Sequence, residues 1–141
     1  MNTQRFSQNY KPNDNEAYMN PQMLAYFRQK LLHHQGLIAA EIDEILRHLG
    51  HEQGRQEPDV GERAAVETEI ALEVRESERH RTLLSQIVSA LARIDTGVYG
   101  YCEETGEKIG TRRLESRPEA TLTVAVQERR ERAARTQGAA V

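Results

Sequence analysis

Tryptophan is absent from this sequence, cysteine occurs once, at Cys102, and aromatic residues make up only 5% of it. With 141 residues and so few large rings, the chain has little material for a wide globular core. A lone cysteine excludes an intramolecular disulfide and agrees with a reducing compartment. No apolar run approaches the roughly 20 residues that span a bilayer, and the N-terminal stretch has no apolar core for a signal peptide. Both absences predict a cytoplasmic protein without a membrane partner.

A strong charge of one sign is also missing. The formal net charge is −3, so broad attraction to DNA or RNA is not expected, since such binding needs a basic face that neutralises phosphates. The exception is local: Arg112, Arg113, Arg117, Arg129, Arg130, Arg132 and Arg135 stand against Glu115, Glu119, Glu128 and Glu131. No nucleophile–base pair or phosphate-binding glycine loop is present, and His33, His34, His48, His51 and His80 are scattered along helical segments at no ligand spacing. The chain reads as a non-enzyme with no specific DNA binding and no metal site of its own.

What is present is helical periodicity. Residues 1–19 are polar and aperiodic, which predicts a mobile tail. Asn20 can cap exposed N–H groups, and Pro21 suits the first helical position because its missing N–H costs nothing there. Leu24, Leu31, Ile38 and Ile45 then recur every seven residues, flanked by Phe27, Ile42, Leu46 and Leu49. Glycines and a proline in 50–58 predict a turn. A second periodic segment from Val60 to Ile94 carries Val66, Ile70, Val74, Leu84, Ile87, Leu91 and Ile94. Two seamed helices joined by a short turn make an antiparallel coiled-coil hairpin.

At 1.5 Å per residue those helices would be roughly 43 Å and 50 Å long. The organisation expected is therefore mainly α: tail 1–19, hairpin 20–95 with its tip at about 50–62, a small module with a C-terminal helix over 96–135, and a tail 136–141. Within the module, Tyr99–Gly110 reads as a compact knuckle and 119–135 as helix.

The stretch Tyr99-Gly-Tyr-Cys-Glu-Glu-Thr-Gly-Glu-Lys-Ile-Gly-Thr-Arg-Arg-Leu-Glu-Ser-Arg-Pro118 resembles the C-terminal zinc-finger module of the DksA/TraR family of transcription factors. Upstream, the segments beginning Tyr18-Met-Asn-Pro and Glu57-Pro-Asp-Val resemble that family's helix start and coiled-coil tip. The resemblance covers about Tyr18 to Arg132. It implies a regulator that inserts its coiled coil into the secondary channel of bacterial RNA polymerase and modulates initiation at rRNA and stringent-response promoters.

The family's two Cys-x-x-Cys pairs fall on Cys102, Thr105, Thr123 and Val126, so one ligand of four remains. A Thr hydroxyl is not deprotonated at neutral pH and Val donates nothing, so zinc is not expected as a cofactor. Apolar packing by Tyr99, Ile109, Leu114, Leu122, Val124 and Val126 is expected to replace it. Glu103 and Glu104 beside Cys102 predict a raised thiol pKa.

The family's tip motif of two Asp and one Ala falls on Asp59, Glu62 and Ala64. Asp59 and Glu62 also have the spacing of a capping box. Arg79 matches a position that contacts the channel rim, although Glu73, Glu76 and Glu78 around it equally describe a solvated face. The resemblance further implies ppGpp as co-effector, at positions that are Leu83, Gln86, Arg117 and Gln127 here. Two neutral Gln at places that are often Lys predict a weakened or altered ppGpp response. Two other readings remain: a Gre-like cleavage factor acting through bound Mg²⁺, and direct nucleic-acid binding by the basic C-terminal helix.

Overall fold

The computed structural model describes residues 9–53 and 59–139. Of the expected turn at the tip, 54–58 lie outside the described residues, as do 1–8 and 140–141 of the expected tails. Among the described residues four helices follow in order: α1 (Pro21–Gln53), α2 (Val60–Thr96), α3 (Thr111–Ser116) and α4 (Val124–Ala139). Among the described residues no strand forms, only an isolated antiparallel bridge between Tyr101 and Lys108.

The start of α1 is fixed by its cap. The side-chain oxygen of Asn20 accepts the N–H of Met23 at 2.9 Å, while the Asn20 carbonyl accepts Leu24 N–H. The end of α2 is fixed by Gly97 at φ +82°, which lets Val98 and Gly97 donate back to the Arg93 and Ile94 carbonyls. α1 runs through Gly50 to Gln53, further than the glycine there predicts.

The chain clusters into two compact units, Met1–Leu31 with Ser89–Val141, and Leu32–Val88. The expected boundaries at 20 and 95 differ because the first three turns of α1 pack into the core of the small module. In that unit Met23, Phe27 and Leu31 from α1 and Ala90 and Ile94 from α2 are buried with Tyr99, Cys102, Ile109, Leu114, Leu122 and Val126. The Phe27 and Tyr99 rings lie 5.7 Å apart, and Tyr99 satisfies its buried hydroxyl by donating to the Pro118 carbonyl at 2.7 Å. Val124, expected in this core, is about half exposed because it opens α4.

Residues 9–19 do not behave as a tail in this unit. Tyr10 donates to Glu16 and meets Tyr26 edge-on at 5.8 Å. Tyr18 donates to the Gly100 carbonyl at 2.7 Å and accepts the Gly110 N–H at 3.0 Å. Two tyrosines thus give a polar segment the rings it needs to pack. Helix 119–135 is also displaced: Leu122 is buried, Thr123 caps, and the helix runs from Val124 to Ala139.

The second unit is the hairpin itself. Glu41 pairs with His80 at 2.7 Å and His48 with Glu73 at 2.6 Å, which fixes an antiparallel register. On α2 the inward positions are 66, 70, 73, 77, 80, 84 and 87, in alternating steps of four and three. That step pattern puts Glu73, Ser77 and His80 inside and leaves Val74 40% exposed, so the seam is apolar at Ile38, Ile42, Leu84 and Ile87 but polar between.

Candidate functional site

The first turns of α2 carry the expected tip residues together. Asp59 stands just before the helix; its Oδ1 accepts the Glu62 N–H at 2.8 Å and its carbonyl accepts Arg63 N–H. One of the four N–H groups that a helix start leaves open is so engaged, the Arg63 bond being the first of the helix ladder, and two carboxylates lie where the helix dipole favours negative charge. Val60, Glu62 and Ala64 are exposed, Val60 to 83%. No bond from the Glu62 side chain back to Asp59 is seen, so half of the capping box is made. The arrangement presents a capped acidic helix start with a small residue in the turn that follows.

Further along α2, Arg79 is exposed and lines a shallow groove with Leu72, Arg75, Glu78 and Thr82. The expectation of a charge-interleaved solvated face holds for Arg75, Glu76, Glu78 and Arg81, while Glu73 turns inward. Leu83 is half-buried and Gln86 exposed, three residues apart on α2 in the hairpin unit. In the other unit, Arg117 is exposed just after α3 and Gln127 stands in the first turn of α4, its side-chain amide donating to Glu131 at 2.9 Å.

The knuckle of the small module is built around Cys102. Its N–H donates to the Glu107 carbonyl at 2.8 Å, and its carbonyl accepts Gly106 N–H at 2.9 Å, closing a tight loop. Gly100 sits at φ +91°, and a Cβ there would fall 2.8 Å from Met19 Cε, so only glycine fits. Burial works to raise the Cys102 thiol pKa, but hydrogen bonds from the Thr105 hydroxyl and from backbone N–H groups of Thr123, Thr105 and Glu104 bring it down to about 7. The expected upward shift is thus reversed. Its premise fails because the Glu104 carboxylate is paired with Arg129 and Arg130 and Glu103 lies 3.6 Å from Arg93.

The three partners of Cys102 in the zinc pattern do other things. Thr105 is exposed, and its hydroxyl accepts Glu107 N–H at 3.3 Å. Thr123 caps α4, accepting Val126 N–H on its hydroxyl and Gln127 N–H on its carbonyl. Val126 is 3% exposed and belongs to the apolar core.

One cluster escaped the sequence. His48 on α1 and Glu69 and Glu73 on α2 bring ligand atoms within 4.8 Å of one another. The spacing of residues along one helix cannot reveal it, because the set is completed only by the hairpin register. His80 and Ser77 extend the same polar layer.

Residues 23–94 match the family described as DnaK suppressor protein DksA, N-terminal domain, and residues 97–132 match the prokaryotic dksA/traR C4-type zinc finger. The chain belongs to the DksA/TraR family. It is 49% identical over 123 residues to the RNA polymerase-binding transcription factor DksA of Caulobacter vibrioides, covering 87% of this chain and 86% of that one. The Escherichia coli protein of the same name is 37% identical over 115 residues, covering 82% and 76%. The solved structure of transcription factor DksA2 from Pseudomonas aeruginosa has a TM-score of 0.77 and 36% identity, over 84% of this chain and 91% of that one.

The match over 97–132 corrects the expectation that zinc has no place here, because a C4-type finger implies zinc binding in this DksA/TraR family. The four side chains at the pattern positions are nevertheless one thiol, two hydroxyls and a buried Val126, which do not fit a four-thiolate site.

Proposed function

We propose that this DksA/TraR chain is a cytoplasmic regulator, not an enzyme, that binds bacterial RNA polymerase through its secondary channel and modulates initiation at rRNA-type and stringent-response promoters. The observation that carries the reading is the start of α2, where Asp59 is locked by the Glu62 N–H at 2.8 Å and Glu62 and Ala64 are exposed beside it. A group that works near a catalytic centre must arrive in one geometry, and a capped helix start supplies that rigidity. The relatives in Caulobacter vibrioides and Escherichia coli are RNA polymerase-binding transcription factors, which supports the same partner.

Within this reading Asp59, Glu62 and Ala64 form the tip that approaches the polymerase active site, and Arg79 contacts the channel. Leu83, Gln86, Arg117 and Gln127 are the positions that would meet ppGpp, with fewer cationic groups than a polyphosphate favours. Direct nucleic-acid binding gains less support. Arg129 and Arg130 of the basic segment are already engaged by Glu104. Among the described residues no helix is long and apolar enough to cross a membrane.

The test is a photo-reactive residue at position 64 of the full chain, mixed with purified bacterial RNA polymerase. Cross-links to the subunit that forms the catalytic centre are the expected result. Cross-links confined to the outer surface of the enzyme, or none, would refute insertion.

A further inference from the structure

The polar layer inside the hairpin is not explained by polymerase binding. A coiled coil gains stability from apolar seam positions, yet this one places Glu73, Ser77 and His80 at consecutive inward positions of α2. Glu73 Oε1 meets His48 Nδ1 at 2.6 Å, whereas Glu73 Oε2 is buried and makes no hydrogen bond. A buried carboxylate oxygen left without a partner is costly, and a native protein retains one for a reason.

Beside Glu73 lies a groove of about 480 Å³. Its lining includes five carboxylates, Glu41, Glu44, Glu69, Glu73 and Glu76, together with His48, and no Lys or Arg. Glu41 and Glu73 already face His80 and His48, while Glu44, Glu69 and Glu76 leave the lining an excess of negative charge that attracts a cation. Glu69 and Glu73 stand four residues apart on one helix, so both reach the same side, and His48 meets them from α1; their ligand atoms fall within 4.8 Å of one another.

We propose that His48, Glu69 and Glu73 form a binding site for a divalent transition-metal ion of the Zn²⁺, Co²⁺ and Ni²⁺ class. An imidazole nitrogen with two carboxylates selects that class over Ca²⁺ and Mg²⁺, which prefer all-oxygen surroundings of higher coordination number. Three protein donors leave a fourth position to water. The ion ties α1 to α2 within the hairpin, satisfies the orphan oxygen of Glu73 and pins the register at a layer where apolar packing cannot. The site is separate from the zinc pattern at Cys102.

Co²⁺ is the probe, titrated into the full-length Cys102→Ser protein and followed by its visible ligand-field absorption. One equivalent is expected to bind with no thiolate charge-transfer band. Glu69→Gln, at an exposed position that leaves the fold intact, and Glu73→Gln and His48→Gln are each expected to weaken binding at least tenfold. Circular dichroism on each variant checks that the helices persist. Absence of saturable binding in Cys102→Ser would overturn the proposal, because the ion would then belong to the thiol. So would binding that survives all three substitutions unchanged.

Discussion

Asp59 Oδ1 accepts the backbone N–H of Glu62 at 2.8 Å, so the residue that would bring charge to a partner also holds the first turn of α2. The two roles separate by substitution. Asp59→Ala removes the cap and is expected to cost about 1 kcal/mol, whereas Asp59→Asn keeps an acceptor and stays within about 0.5 kcal/mol of wild type. Urea unfolding of both variants checks this; equal losses would show that Asp59 does not act as a cap.

Gly36 and Gly100 should respond in opposite directions to the same change. Gly36 lies in α1 with open space around it, so Gly36→Ala is expected to stabilise by about 0.5–1 kcal/mol. Gly100 has φ +91° and a Met19 atom 2.8 Å from where a Cβ would stand, so Gly100→Ala is expected to destabilise by more than about 1 kcal/mol. Thermal unfolding of the two variants reads both signs.

Both helix starts of the hairpin were legible because caps are local chemistry: Asn20 with Pro21, and Asp59, act on N–H groups three or four residues away. The end of α2 at Thr96 is set by equally local chemistry at Gly97. Less was legible where distant parts of the chain decide the outcome. Tyr10 and Tyr18 order a segment whose composition predicts a tail, because their partners lie far along the chain at Tyr26, Gly100 and Gly110. The helix Thr111–Ser116 has Leu114 as its one large apolar residue, too few to show a period. The polar layer of the hairpin was hidden because the spacing of Ile70, Val74 and Leu84 looks apolar, while the alternating steps of the seam choose Glu73, Ser77 and His80 instead. Cys102 was misjudged from its neighbours in sequence; Glu104 turns to Arg129 and Arg130, and N–H donors reach the sulfur.

That thiol gives a pH prediction. Its pKa in the fold is about 7, below the value of about 8.5 for an unfolded thiol. A depressed acid favours its ionised form in the native state, so the contribution of Cys102 is fully present above the unfolded value and is lost as pH falls through the folded one. Stability of wild type relative to Cys102→Ser is therefore expected to rise between about pH 7 and about pH 8.5. Urea midpoints of the two proteins across that window check it, and a constant difference would contradict it.

In the reading proposed above, Gln86 and Gln127 weaken the response to ppGpp. Replacing both by Lys adds two cationic groups, and the double variant is expected to gain several-fold in ppGpp-dependent inhibition of an rRNA-type promoter, with inhibition in the absence of ppGpp unchanged. Equal gains with and without ppGpp would show that the new charges act on the polymerase alone.

The most direct measurement is single-round transcription from an rRNA-type promoter with purified bacterial RNA polymerase, comparing wild type with Asp59→Asn at equal occupancy of the enzyme. Inhibition by wild type that is lost in Asp59→Asn, with the fold and polymerase binding preserved, is the predicted result. Wild-type protein that binds polymerase without changing initiation, or Asp59→Asn that inhibits as well as wild type, would contradict the account.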